Sequence, residues 1–269
     1  MKLGVYWVSF LICLLNSFPS FAGDMRLAVT TSFHNSGLSE ILLPEIKKDL
    51  GLTVHLLVVG TGQALKLGRS GDVDALLVHS IKAEEEFVAE GFGTHRREIM
   101  YNDFVFVGPE NDGAQLSNSK SAAEAFQTIL NTRSPFVSRG DDSGTHRKEI
   151  SLWQSAGTAP KGSWYRATGA GMGTTLNTAS AMNAYVFTDR ASWLNYEHKG
   201  NLKLLFSGDP VLFNQYTYIQ VNSDKHKHVK NILAGQLEKW LSGKKAANLI
   251  SNYKIKGQRL FVPNAKRQN

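Results

Sequence analysis

The chain has 269 residues, with 30 Lys and Arg against 23 Asp and Glu, a formal net charge of +7 and 42% hydrophobic residues. That length and hydrophobic share are enough to build one or two packed domains, and they exclude a collagen-like or wholly disordered chain. A single cysteine excludes an intramolecular disulfide framework and a cysteine-rich metal site.

The first residues predict a processed leader. Met1-Lys2 supplies a positive charge, Leu3 to Leu15 is almost wholly apolar, and Ser20-Phe21-Ala22 is a small-x-small cleavage site. This is the pattern of a secretory signal peptide, with cleavage placed after Ala22, so residues 1–22 are set apart from the fold. The apolar run is short for a membrane span. Cys13 lies inside it without small residues before it, which is a poor lipid-attachment signal, and the mature chain is expected to be cysteine-free. Export argues against nucleic acid as the reason for the basic charge. The basic tail (Lys244, Lys245, Lys254, Lys256, Arg259, Lys266 and Arg267) reads as a solvated face.

The mature chain opens with a short strand, Arg26 to Thr30, ended by Thr31 and Ser32. Asn35 or Ser36 can cap a helix with the apolar stripe Leu38, Ile41, Leu42, Ile46 and Leu50. Gly51 suits its C-terminal turn, and Pro44 should kink it. A second strand, Thr53 to Val59, ends at Gly60-Thr61-Gly62-Gln63, and a short helix begins at Ala64. A third strand runs Ala75 to His79, and Ala83 to Glu90 is helical. Strand, loop and helix in repeated order predict an open α/β sheet, most simply with parallel strands.

Met100 to Val107 is another apolar strand, and a second α/β unit follows it. Its predicted parts are a helix at Ala122 to Leu130, the apolar run Pro135-Phe136-Val137, and a helix entered at Ser143, Gly144 or Thr145. They continue with a short segment at Trp164 to Thr168, a helix at Met172 to Met182, a strand at Ala184 to Thr188 and a helix at Ala191 to His198. Leu202 to Phe206 and Gln215 to Val221 are predicted strands, and His226 to Leu241 and Lys244 to Ser251 are helical. The whole reads as two α/β lobes. The first takes residues 23–102 and 213–269, the second takes residues 103–212, and Met100–Val107 and Gln215–Val221 form the crossovers.

Ligands in such sheets sit beyond the carboxyl ends of strands. Four loops stand there: Thr30–Ser32, Gly60–Gly62, Arg139–Thr145 and Gly169–Thr175. Each is rich in Gly, Ser and Thr and precedes a helix. Free backbone N–H groups, hydroxyls and the Arg139 guanidinium are donors suited to a fully ionised oxyanion. His146, Arg147 and Lys148 crowd the helix start after Arg139, where the dipole disfavours cations and a bound anion would offset them. Asp141 and Asp142 read as turn caps rather than acceptors for a protonated ligand.

Other motifs fit less well. Gly60-Thr61-Gly62 begins like a dinucleotide fingerprint, but Leu65 stands where the third glycine belongs, and the Gly-Lys pair of a nucleotide phosphate loop is missing. Asp142-Ser143-Gly144 has the look of a hydrolase serine, yet a helix cap explains Ser143. His79, His95, His146, His226 and His228 have scattered spacing, and His226-x-His228 reads as solvated surface rather than a metal site. Trp153, Trp164, Tyr165 and Trp193 read as core or cleft-edge packing.

At these loops the sequence closely resembles the tungstate-binding extracytoplasmic proteins of ABC importers, the TupA-type family. The runs that carry the resemblance are Asn35-Ser36-Gly37-Leu38, Val59 to Gly68, Gly71 to His79, Met100 to Val105, Ser138 to Thr145, Gly171 to Asn177 and Thr188-Asp189-Arg190. They reach to about residue 190, and the remaining residues match no motif of the family. The resemblance implies a two-lobed, type II periplasmic-binding-protein fold with the ligand cleft between lobes. It implies a non-enzymatic protein without cofactor or metal ligands. Such a protein captures tungstate, with molybdate as a second candidate, and delivers it to an ABC transporter membrane permease. By motif matching the ligand contacts would come from Thr31, Ser32, Thr61, Gly62, Arg139, Ser143 and Thr145, with Gly173 and Thr174 as further donors. The family's first loop reads three threonines, a serine and a threonine, whereas this chain has Val29-Thr30-Thr31-Ser32-Phe33. The departure at Phe33 bears on selectivity. The expected setting is a periplasmic monomer that binds no nucleic acid. A phosphate or sulfate binder, and a hydrolase using Ser143, are the alternatives.

Overall fold

The computed structural model describes residues 23–265. The predicted signal peptide and Cys13 lie outside the described residues.

The first unit is β1 (Gly23–Thr30), α1 (Thr31–Asn35), α2 (Leu38–Leu50), β2 (Leu52–Val59), α3 (Thr61–Ser70), β3 (Ala75–Val78) and α4 (Ile81–Ala89). β1 pairs in parallel with both β2 and β3. The strand β4 (Arg97–Pro109) then leads into α5 (Ala122–Thr132), β5 (Phe136–Ser138), α6 (Gly144–Ser155), β6 (Tyr165–Ala167), α7 (Met172–Met182), β7 (Tyr185–Asp189) and α8 (Arg190–Asn195). β8 (Leu202–Phe206), β9 (Phe213–Gln220), α9 (Asn231–Leu241), α10 (Lys244–Asn252), β10 (Lys254–Ile255), β11 (Gln258–Arg259) and β12 (Val262–Pro263) complete the chain.

The strands follow the order β2-β1-β3-β9-β4-β7-β5-β6, with β8 and β12 also paired to β4. β4 is the strand that both halves share. It pairs with β9 from Arg97 to Asp103 and with β7 from Phe104 to Val107, both antiparallel. β5 pairs in parallel with β6 and β7. Thus β1, β2 and β3 point their carboxyl ends at the junction from one side, and β5 and β7 do so from the other.

Alternation along β1 explains the first half. Met25, Leu27 and Val29 pack with Leu38, Leu42 and Ile46 of α2, Leu237 of α9 and Ile250 of α10. Ala28, facing the other way, packs with Ala64 and Leu65 of α3 and Phe87 of α4. In the second half, Phe106 and Phe187 pack with Phe126 and Trp153 of α5 and α6. Val105, Val107 and Val186 pack with Leu176 of α7 and Trp193 of α8 on the opposite face. Both sheet halves are covered on both faces, and their strand ends meet at the junction, where ligands of such sheets sit.

Local details differ from the sequence expectation where glycine and threonine set the helix starts. Thr31 and Ser32 do not form a loop but open α1, capped by Thr30, whose hydroxyl accepts from Phe33 N. The capping position of α2 is Gly37 in the left-handed region (φ 78°), while the hydroxyl of Ser36, one residue earlier, accepts from Leu38 N at 3.3 Å. α3 begins at Thr61 rather than Ala64, with Gly60 as the capping residue. α9 begins at Asn231 rather than His226. His226 is half-buried and His228 exposed, as a surface reading expects, and both hydrogen-bond through Nε2 to the carbonyls of Arg69 and Gly71 at the end of α3.

Candidate functional site

Each functional side chain is delivered by a strand end or a helix start. Arg139 follows β5 and is only 3% exposed. One terminal guanidinium nitrogen donates to Asp141 Oδ2 at 2.5 Å, while its Nε is buried without a partner among the described residues. Asp141 Oδ1 accepts from Ser143 N at 3.2 Å, which ties the arginine to the start of α6. Burial pushes the Asp141 carboxyl up, but the hydrogen bonds from Ser143 and the charge of Arg139 outweigh it and leave it below the ordinary range. The turn between them needs left-handed backbone at Gly140 (φ 62°) and at Asp142 (φ 58°).

The α6 start is correspondingly compact. Ser143 caps it, its hydroxyl accepting from His146 N at 3.3 Å. Thr145 is buried and its Oγ1 has no partner among the described residues. The basic residues after it are neutralised locally. His146 Nδ1 accepts from Asp142 N, and Arg147 pairs with Asp142 at 2.7 Å. Burial pushes the Lys148 ammonium down.

Across the junction, the α3 start lies against this turn. Thr61 is fully buried, and its Oγ1 is without a partner among the described residues. A Cβ built on Gly62 would stand 3.0 Å from Asp142 Oδ2, and one on Gly60 would stand 3.7 Å from Ser143 Cα. The first-strand loop is bound into a hydroxyl network. Ser32 Oγ lies 3.1 Å from Thr30 Oγ1 and 3.0 Å from His79 Nε2, and it accepts from Tyr216 OH at 3.1 Å. Thr31 is half-buried in the same turn. Phe33 points into the core beside Tyr216, at 6.4 Å between ring centroids, so the family departure at this position lies on the core side.

Three site residues were not singled out by sequence reasoning. His79 closes β3, and its Nδ1 is buried without a partner among the described residues. Burial, and then the charge of Arg139, push its pKa down to about 4, so the ring is neutral. Asp189 closes β7 and caps α8 through Oδ1, which accepts from Ser192 N at 2.9 Å. Its Oδ2 has no partner among the described residues, and burial pushes the carboxyl up against the opposing pull of Ser192 and Arg139. Asn102 accepts from Asn214 at 2.8 Å and leaves its own Nδ2 unpaired among the described residues. The strand-end rule that selected the four loops also covers His79 and Asp189, but single residues without glycine or hydroxyl neighbours did not stand out.

Six of the nine buried side-chain polar atoms without a partner among the described residues thus belong to Thr61, His79, Asn102, Arg139, Thr145 and Asp189. Each unpaired buried polar group costs about 1–3 kcal/mol, so a cluster of six needs an explanation that a folded core does not supply. Gly173 and Thr174 are not part of this set. Both are exposed, and a Cβ on Gly173 would meet open space. The buried hydroxyl of that turn is Thr175, which donates to Gly171 O and lies 3.0 Å from Thr168 Oγ1. Among the described residues no group of three or more His, Cys, Asp or Glu could hold a metal ion.

Known proteins share this architecture. A PBP superfamily domain model matches residues 21–242. A tungstate-binding protein TupA from Peptoclostridium acidaminophilum is 45% identical over 247 residues, covering 90% of this chain and 86% of that one. The chain belongs to the TupA family within the PBP superfamily. Among solved structures, the tungstate-binding TupA from Desulfovibrio alaskensis G20 is 42% identical with a TM-score of 0.80, over 91% of this chain and 100% of that one. The tungstate ABC transporter structure from Geobacter sulfurreducens is 46% identical with a TM-score of 0.79, over 86% and 98%. The fold is therefore the two-lobed one that the resemblance implied. The relatives so named are binding proteins, and their ligand is an oxyanion.

Proposed function

We propose that this protein captures tungstate or molybdate in the cleft between its two halves and hands it to an ABC importer permease. The observation that carries this reading is the cluster of unpaired, buried polar atoms at Thr61, Arg139 and Thr145. They are donors from both sides of the junction, placed at two helix starts whose dipoles favour an anion. Arg139 supplies the charge. Asp141 holds the guanidinium by one nitrogen, and the unpaired Nε is left for the ligand. Thr31, Ser32, Gly62 and Ser143 would complete the cage through backbone N–H groups and hydroxyls. Gly173 and Thr174 would contribute only from outside it.

Capture involves no reaction. Ser143 is a helix cap whose hydroxyl accepts from His146 N; His146 has its Nδ1 lone pair committed to Asp142 N, and the His79 Nδ1 makes no hydrogen bond to the Ser143 hydroxyl. A nucleophile would need a free base within hydrogen-bond reach. The protein acts as a monomer in the periplasm, exported by residues 1–22, and its halves divide near residues 102–103 and 212–213, where β4 and β9 run between them. It uses no cofactor and binds no nucleic acid.

One observation favours a second reading. The unpaired Asp189 Oδ2 could accept a hydrogen bond from the P–OH of monohydrogen phosphate. Calorimetric titration of residues 23–269 with tungstate, molybdate, sulfate and phosphate separates the two. Binding of the metal oxyanions with weak or no response to phosphate is expected. Affinity for phosphate alone, strengthening between about pH 6 and 8 as monohydrogen phosphate forms, would replace the first reading with the second. Silence toward both metal oxyanions would overturn the proposal.

A further inference from the structure

The seam between the two halves carries glycine where the backbone does not ask for it. Gly62 and Gly144 stand in the first turns of α3 and α6, and neither lies in the left-handed region that favours glycine. Glycine in a first helical turn is less favourable than alanine, so something else selects it. The opposite half supplies the reason. A Cβ on Gly144 would stand 2.6 Å from His79 Cε1 and 2.7 Å from its Nδ1. A Cβ on Gly62 would stand 3.0 Å from Asp142 Oδ2 and 3.4 Å from a terminal guanidinium nitrogen of Arg147. The two halves therefore meet with the α6 backbone against the His79 ring.

That ring is held in place by its neighbours. Its Nε2 is held to Ser32 at 3.0 Å, and the Tyr216 and Phe104 rings lie at 5.0 and 6.2 Å between centroids. His79, together with Gly144, Asp142 and Asn214, also lines a cavity of about 750 Å³. His79 is thus a fixed neighbour rather than the loose end of a flexible side chain.

We propose that the Gly144–His79 contact is a closure stop that sets the smallest oxyanion the cleft can grip. The inference rests on the proposed oxyanion capture. A tetrahedral anion is held well only when donors of both halves reach it together, Thr61 from one side and Arg139 and Thr145 from the other. Sulfate and phosphate have shorter bonds to oxygen than tungstate or molybdate, so gripping them requires the halves to come closer. Ring-to-backbone contact prevents that approach. The donors themselves suit any tetrahedral oxyanion, so discrimination by size comes from the seam beside them.

The test is a double-mutant cycle. Tungstate, molybdate, sulfate and phosphate are titrated into wild type, Gly144→Ala, His79→Ala and the double variant, with thermal melts to verify folding. Gly144→Ala wedges the halves apart and weakens tungstate binding by about tenfold or more, as one inserted methyl does in a packed contact. His79→Ala removes the stop and narrows the ratio between sulfate and tungstate dissociation constants. In the His79→Ala background the introduced methyl has room, so Gly144→Ala changes tungstate affinity by less than about twofold. If Gly144→Ala fails to fold, the sulfate-to-tungstate ratio of dissociation constants in wild type against His79→Ala carries the test alone. An equal effect of the glycine substitution in both backgrounds overturns the stop, as does wild-type discrimination in His79→Ala. A wild type that binds none of the four anions overturns the proposed capture and, with it, the stop.

Discussion

The starts of α6 and α7 carry the same chemistry and end in different states. Ser143-Gly144-Thr145 and Gly173-Thr174-Thr175 are both short runs of glycine and hydroxyl residues in a first helical turn after a strand. At α7 every group is either exposed or paired. Gly173 and Thr174 face outward, and the Thr175 hydroxyl bonds to Gly171 O. At α6 the Thr145 hydroxyl is buried without a partner among the described residues, beside an arginine whose Nε is in the same condition. The contrast teaches that composition marks a helix start, whereas unmet hydrogen-bonding capacity marks a site. α6 shows the same contrast within itself. One turn beyond Thr145, Glu149 is buried, and all its donors are accounted for: Ser138 Oγ at 2.7 Å, Tyr165 OH at 2.9 Å and Trp153 Nε1 at 3.3 Å.

The largest effect that would break the comparison belongs to Arg139. Arg139→Ala should weaken oxyanion binding by about 2–5 kcal/mol, the range for truncating one member of a desolvated charge pair. Unchanged affinity in calorimetry would remove the site from α6.

Glu149 comes next, as the satisfied counterpart. Burial pushes its pKa from 4.5 up to about 7, against the pull of its three donors. Because the folded-state value is the raised one, the contribution to stability is complete below pH 4.5 and declines until the pH passes about 7. The decline should approach about 3 kcal/mol, at 1.36 kcal/mol per pH unit of difference. Chemical denaturation of wild type and Glu149→Gln across this window should show a steeper loss of stability with pH in wild type. Equal slopes would mean that Glu149 titrates as an ordinary glutamate.

Thr61→Val tests the other side of the junction. Loss of its hydroxyl should weaken anion binding by about 1.5–3 kcal/mol, the worth of a hydrogen bond to a charged group. Thr174→Val sets the floor. An exposed substitution away from the unpaired set should change affinity and stability by less than about 0.5 kcal/mol. A loss at Thr174 equal to that at Thr61 would erase the distinction between the two helix starts.

Much of this molecule is legible in the sequence because its signals are periodic. α7 spans the expected Met172–Met182, and β8 spans the expected Leu202–Phe206. The Arg139 turn, its cap at Ser143 and the strand-end location of the cleft also follow from residue types alone. What was missed has physical causes. α1 hides in Thr31–Asn35 because threonine, serine and asparagine read as a loop until the Thr30 cap bond is seen. α3 starts early because Gly60 can cap a helix through its backbone without a side-chain signal. His79 and Asp189 are single residues at the ends of apolar strands, and only burial beside Arg139 gives them meaning. The seam is less legible still. A glycine chosen for its opposite neighbour looks, in sequence, like one chosen for its own turn.

The central claim is that buried groups left unpaired in the folded chain exist for an anion. Thermal unfolding of wild type and Thr145→Val, each with and without tungstate, tests it most directly. Removing an unpaired buried hydroxyl should raise the melting temperature of the anion-free protein, by about 1 kcal/mol of stability. It should also reduce the gain that tungstate confers, since a ligand stabilises in proportion to its affinity for the folded state. The account predicts that variant and wild type exchange order when tungstate is added. A variant that melts below wild type without tungstate, or one that keeps the full tungstate shift, would contradict it.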